Sequence, residues 1–265
     1  MKPRPIFAPL LFVCVSLALP ARAAVWSVTE LHYQRGPVAA PSFAGGASAA
    51  TDIVTLQGAG GHDLGDYFFF VDFLQDDTPD RFNDQDVYGE LYVSFMAGAL
   101  TGGPLAFGPV RDIGLVAGVN VGADANVRKW LPGLRFALDL PGFAFANLDL
   151  TAYLDDSPGV DSGGAPSESD SFMADFSWGV PFSVGDHAFS LEGHAEYIGA
   201  RTDQFGAPLP AWFLAQPQLR YDLGASLLGS PGRLFGGVEW LLWLNKLGDE
   251  SVDENRGLLL LVWRL

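Results

Sequence analysis

The chain has 265 residues, a formal net charge of −16, and 17% charged residues against 49% hydrophobic and 13% aromatic. That balance excludes a basic nucleic-acid binder, which needs cations to neutralise phosphates, and a wholly disordered chain, which is poor in apolar and aromatic residues. A bundle of membrane helices is excluded too, because beyond the N-terminus no run approaches the ~18–20 apolar residues of a spanning helix.

In chain order, residues 1–23 read as a signal peptide. Lys2 and Arg4 give a positive start, Ile6 to Leu19 is apolar, and Ala21-Arg22-Ala23 places small residues where a signal peptidase reads. Cleavage is expected after Ala23, leaving 24–265 as one domain. The single cysteine, Cys14, falls inside this segment, and Val13 before it is not the small residue of a lipoprotein signal. The domain therefore has no disulfide and must be held by backbone bonding and packing. It also loses Lys2, Arg4 and Arg22, which makes it still more acidic.

From there the dominant period is two, the mark of strands. Twelve are expected, over 25–34, 51–58, 66–74, 86–96, 111–122, 133–140, 145–154, 171–180, 187–198, 212–223, 234–245 and 256–265. In 133–140, Leu134, Phe136, Leu138 and Leu140 alternate with Arg135 and Asp139. In 145–154, Leu148, Leu150 and Leu154 alternate with Asn147, Asp149 and Tyr153. In 187–198, Phe189, Leu191 and Tyr197 alternate with Ser190, Glu192, His194 and Glu196. In 212–223, Phe213, Leu219 and Tyr221 alternate with Gln218, Arg220 and Asp222.

Most of these runs match the ~9–11 residues of a tilted strand crossing a bilayer, and the count is even, as in bacterial single-chain barrels. With both termini in the periplasm, the outer loops fall at 35–50, 75–85, 123–132, 155–170, 199–211 and 246–255. Acid collects there, as in Asp76, Asp77, Asp80 and Asp84, or Asp249, Glu250, Asp253 and Glu254. The inner links at 141–144 and 181–186 are tight, and 97–110 is long.

A soluble sandwich would alternate in the same way. Three features favour an all-β, 12-stranded antiparallel transmembrane β-barrel in the bacterial outer membrane. Few Lys and Glu occupy the polar faces, where a water-facing surface needs them. Trp26, Trp130, Trp178, Trp212, Trp240, Trp243 and Trp263 sit near strand ends, suited to lipid–water boundaries. The chain ends Gly257-Leu-Leu-Leu-Leu-Val-Trp263-Arg-Leu265, like the terminal strand read by the barrel-assembly machinery. Pairing that strand with the first removes the free edges that lipid cannot satisfy. Leu258–Val262 is apolar on both faces, so its inner side must pack against something.

The stretches GDYFFFVDF (65–73), YGELYVSF (88–95), LAFGPVRDIGLVAG (105–118) and KWLPGLRFALDLPG (129–142), the VPF turn (180–182) and the closing strand resemble the nucleoside-specific outer-membrane channel family Tsx and its OmpK-type relatives. The chain departs from the family's usual final Phe by ending on Leu265. The resemblance implies a monomeric twelve-stranded barrel with a narrow channel, lined by aromatic and ionisable groups that hold nucleosides weakly. Some relatives also serve as phage or colicin receptors.

The polar strand faces give the expected channel lining: Glu30, Phe70, Asp72, Tyr88, Glu90, Arg135, Asp149, Tyr153, Glu192, His194, Arg220 and Glu239, with His32, Phe68, Tyr92, Asp139, Glu196 and Gln218 beside them. Aromatic rings stack on bases, and carboxylates, Arg and Gln bond sugar hydroxyls. The same residues can instead brace the barrel, with Arg135, Asp139, Asp149 and Tyr153 as one network. The absence of a basic cluster favours neutral nucleosides or similar small polar solutes over nucleotides. No cofactor is expected. His32, His62, His187 and His194 are too scattered for zinc spacing, and the acidic loops lack the ordered spacing of an EF-hand. Ions bridging those loops to lipopolysaccharide, a surface receptor or adhesion barrel with little conductance, and a barrel lipase stay as alternatives; no serine nucleophile is placed beside His194.

Overall fold

The computed structural model describes residues 25–79 and 82–265. The expected signal segment, with Cys14, and Asp80 lie outside the described residues. The domain is a closed antiparallel barrel of twelve strands. They are β1 (Trp26–Ala39), β2 (Ser48–His62), β3 (Gly65–Gln75), β4 (Asp86–Met96), β5 (Val110–Gly122), β6 (Val127–Leu138), β7 (Phe145–Asp155), β8 (Ser171–Val184), β9 (His187–Ile198), β10 (Trp212–Ala215 and Gln218–Asp222), β11 (Leu234–Leu244) and β12 (Glu254–Arg264). Each pairs with its neighbour in sequence, and β12 closes the ring on β1 with Glu30 opposite Arg264 and Gln34 opposite Leu260. Closure leaves no open edge.

All twelve expected strands are present, and several boundaries move; β8 runs on to Val184, so Val180, Pro181 and Phe182, expected as a turn, pair with Leu191, Ser190 and Phe189 instead. β1 and β2 form one long hairpin from Trp26↔Gly61 to Ala39↔Ser48, so the expected loop 35–50 shrinks to 40–47. Gly36, Pro37, Ala49 and Ala50 blur the alternation there, but Val38 and Ile53 still face inward and pack together. β6 begins at Val127, so the expected loop 123–132 shrinks to four residues. Pro132, in the expected loop, pairs with Ala117, and the ladder to β7 lapses only at Leu131–Pro132 because proline has no N–H to donate. β10 breaks at Gln216-Pro217 for the same reason.

The long inner link holds a five-residue helix, Ala97–Thr101, folded back on the barrel. The Asp112 carboxylate ties it there by accepting from the N–H groups of Gly98 (3.0 Å) and Leu105 (2.9 Å). The link after β10 is a single turn, Gly224–Leu228, held by the Asp222 carboxylate.

The outward face is apolar along every strand, with Leu31, Leu91, Leu134, Leu150, Leu219 and Leu259 open to the surroundings. Aromatic residues ring it at two levels. Near the termini lie Trp26, Phe145, Trp263 and a run in which Phe182 stacks on Phe189 (5.4 Å) and Phe189 meets Tyr221 (5.0 Å). Toward the other end lie Trp130, Phe172, Tyr197 and Trp240. A water-facing surface does not expose apolar area on this scale, whereas a barrel in lipid requires it.

The lumen is not one open tube. In the half distant from the termini, the inward residues Tyr92, Val116, Leu131, Tyr153, Met173, Ile198 and Trp212 pack into a dry core, joined by Phe68, Trp243 and Leu247. Val38, Ile53, Leu214, Leu241 and Leu258 extend it. Trp212 and Trp243, expected at a lipid boundary, point inward instead and meet edge-on at 6.0 Å. The inner side of the closing strand is accounted for: Leu258 packs in this layer, and Leu260 and Val262 pack on Phe235 nearer the termini.

Above the dry layer, the distal end is capped by buried ion pairs. Lys129 reaches Asp155 (3.0 Å) and Glu168 (2.7 Å), and Glu168 also binds Arg201 (2.7 Å), whose guanidinium lies 4.2 Å over the Trp212 ring. Lys246 donates to Glu254 (2.6 Å) and to the Ala39 carbonyl (2.6 Å), with the Trp243 ring 5.0 Å away. Burial pulls the Lys246 ammonium pKa below its ordinary value, against the raising effect of Glu254.

Outside this cap, Asp249 joins two loops by accepting from the Ser42 N–H (2.8 Å) and the Ser251 hydroxyl (2.6 Å). Those bonds, the Ser251 one first, hold its carboxyl at about 2. A depressed carboxyl adds stability that is present above the ordinary pKa and is lost as the pH falls through the folded one. The link should therefore be intact at pH 4 and above and open near pH 2. Asp249→Ala should make 245–253 protease-sensitive at neutral pH without moving the barrel's melting temperature; equal cleavage of both proteins would refute the tether.

A carboxylate-rich chamber as the candidate functional site

Between the dry layer and the termini lies a polar chamber of about 880 Å³. Period-two geometry turns every second side chain into it, and the register of neighbouring strands sets which of them meet. Nine of the expected lining residues border it: Phe70, Asp72, Glu90, Arg135, Asp149, Glu192, His194, Arg220 and Glu239.

The other three do not line it. Glu30 lies beneath Arg220, buried and held by His32 (2.9 Å), Arg220 (3.1 Å) and Arg264 (2.7 Å). Tyr88 packs against Phe70 and donates its hydroxyl to Glu90 at 2.6 Å. Tyr153 belongs to the dry core, near Lys129 and Arg201. The expected brace is therefore corrected in part. Arg135 forks onto Asp149 (2.8 and 2.7 Å) and also bonds Asp66, while Asp139 is exposed in the turn after β6.

Arg135 and Arg220 are saturated. Arg135 is occupied as above, and Arg220 spans Glu30 and Glu192, both at 3.1 Å, while bonding Gln218 at 2.6 Å. Neutral donors serve other carboxylates. Thr55 bonds Asp72 (2.6 Å), and Gln34 and Gln218 both bond Glu239 (2.5 Å). What remains facing the space is an excess of acid: Asp72, Glu90, Asp175, Glu196 and Glu239, against the exposed Arg111 and the imidazoles of His32 and His194. Such walls attract cations and repel anions.

Phe68, Phe70 and Tyr92 give the chamber one aromatic side, with Phe68 and Phe70 at 6.1 Å. Asp66, Asp175, Gln34, Gln57 and Gln216 also line it and were not among the expected residues. Asp66 and Asp175 each follow the same inward period as their neighbours, which is the signal that marks them. Gly193, opposite the break in β10, has φ +150, and a Cβ there would fall 2.4 Å from the Gln216 carbonyl oxygen. Glycine alone allows β9 and β10 to come this close.

No family model matches the chain, and no curated protein matches it. Among solved structures, it is similar to the NanC porin in a rhombohedral crystal form, at a TM-score of 0.50 and 10% identity over 91% of this chain and 100% of that one. It also aligns with OccD1 (OprD) at 11% identity over 91% of this chain and 96% of that one, with a TM-score of 0.26. The first likeness places the fold with porin-type barrels.

Proposed function

We propose that the protein is an outer-membrane channel for small polar solutes, with the termini and the chamber at the periplasmic side and nucleosides as its preferred solutes. The observation that supports this best is the composition of the chamber: one aromatic wall facing carboxylate and amide groups. A base can stack on Phe68, Phe70 or Tyr92, a contact of ~1–3 kcal/mol per base in protein–nucleic acid systems. The sugar can bond Asp72, Glu90 or Gln57. Sites of this modest strength suit conduction, because tight binding stalls release. Arg135 and Arg220 are already paired and acid outnumbers base along the walls, so nucleotides should be excluded.

This reading includes the Tsx resemblance, an N-terminal signal peptide over 1–23, a monomeric state, delivery by the barrel-assembly machinery, and contact of the acidic outer loops with lipopolysaccharide. It assigns transport rather than catalysis. A second reading, a surface receptor with little conductance, draws on the dry distal layer, which would have to part for a solute to cross.

Single-channel recording of the purified protein in planar bilayers separates the two. The expected result is a small cation-preferring conductance that nucleosides reduce and nucleotides do not. Phe70→Ala and Glu90→Ala should each weaken the nucleoside block. An unchanged block in Phe68→Ala, Phe70→Ala and Tyr92→Ala alike would remove the nucleoside assignment, and silence under all conditions would favour the receptor.

A further inference from the structure

Within the chamber, β8 and β9 bring together three ligand-type side chains. Asp175 and Glu196 are directly opposite in the register, and His194 lies two residues before Glu196 on the same inward face. One ligand atom from each lies within 4.8 Å of the others. The group is recessed but open to the chamber: Asp175 and His194 are part-buried, and Glu196 is buried.

Like charges directly opposite on neighbouring strands are destabilising. Elsewhere in this lumen, carboxylates from different strands share an arginine, as Asp66 and Asp149 share Arg135 and Glu30 and Glu192 share Arg220. Among the described residues, Asp175 and Glu196 have no arginine or lysine in ion-pair contact and meet one imidazole.

The hydrogen bonds around that imidazole fix which nitrogen is available. The Gln216 side-chain N–H donates to Glu239 Oε1 at 3.2 Å, so the Gln216 carbonyl oxygen is the end that faces the histidine. That oxygen lies 3.0 Å from His194 Nε2 and can only accept, so Nε2 carries the proton. In the neutral ring, Nδ1 is then a lone pair, and it points at Asp175 Oδ1 from 2.9 Å. Two lone pairs at that distance require a proton, on the ring or on the carboxyl, or a metal ion between them. An outer partner that sets the tautomer of a ligating histidine is a regular feature of metal sites.

We propose that Asp175, His194 and Glu196 form a divalent transition-metal site in the chamber wall, with His194 Nδ1 and one oxygen from each carboxylate as ligands. One imidazole and two carboxylates suit Zn²⁺ or Mn²⁺ rather than a soft ion. Three protein ligands leave further coordination positions for water or a solute in the chamber. Gln216 is the positioning residue. The inference rests on the barrel register and does not depend on which solute passes.

The test is calorimetric titration of the purified full barrel in detergent with Zn²⁺ and with Mn²⁺, read beside the ring-nitrogen NMR signals of His194. The wild type should take up one ion more tightly than any background from the acidic loops, and the His194 Nδ1 signal should move to a metal-bound position. His194→Ala and the near-isosteric Glu196→Gln should each weaken that step by about tenfold or more, and Gln216→Ala should weaken it by roughly 10–100-fold. Equal binding by the wild type and by a folded Glu196→Gln barrel would overturn the site. So would a His194 ring that stays doubly protonated under saturating Zn²⁺, since the second proton would then be the only cation.

Discussion

Trp212→Ala combined with Trp243→Ala is expected to raise single-channel conductance several-fold. These two indoles meet edge-on between neighbouring strands and belong to the layer that separates the chamber from the distal end. Removing them takes away the bulkiest part of that layer, while the polar chamber beneath is untouched. The truncations also cost stability, ~3–5 kcal/mol each in a well-packed core, so the currents must be read on protein confirmed as folded. Trp243→Phe keeps a ring in place and should leave conductance near the wild-type level. An unchanged current in the folded double variant would mean that the layer does not limit passage, and the channel reading would lose its route through the molecule.

Arg135→Ala is expected to lower stability by ~3–5 kcal/mol, because it leaves Asp149 and Asp66 facing each other with their shared cation gone. Burial decides the size of the effect. The Arg135 and Asp149 side chains are 9% and 5% exposed, so water only partly replaces the lost partner. The Arg35–Asp52 pair has a similar distance, 2.7 Å, but is 53% and 40% exposed. Solvent screens such a pair, so Arg35→Ala should leave the melting curve almost unmoved. Thermal unfolding of both variants in one detergent measures the contrast; equal losses would refute the bracing role of the buried network.

The pattern within each strand was enough to read the barrel, its strand count and most of the chamber wall. Phe70, Asp72, Glu90, Glu192, His194 and Glu239 were all legible because period two carries side-chain direction directly. Tyr153 shows where that signal stops. It alternates as an inward residue and does point inward, yet the distal half of the lumen is dry, so it packs with Leu131 and Trp212 instead of meeting solvent. Alternation separates two faces and does not state what fills the enclosed one.

Partners across strands were the second gap. The expected network of Arg135 with Asp139, Asp149 and Tyr153 contains the true partner Asp149 on the next strand, but it misses Asp66, from a strand distant in sequence. The Asp175, His194 and Glu196 group escaped for the same reason, since histidine spacing along the chain carries no register between strands.

The Glu30 carboxylate bears on how the molecule is made. It binds Arg264, on the last strand, and Arg220, on the chamber wall. The polar wall on this side can therefore reach its final arrangement only after the two ends of the polypeptide have met. A partly inserted intermediate would hold Glu30 with one of its two arginines missing, so the step that seals the cylinder also sets the electrostatics of its interior.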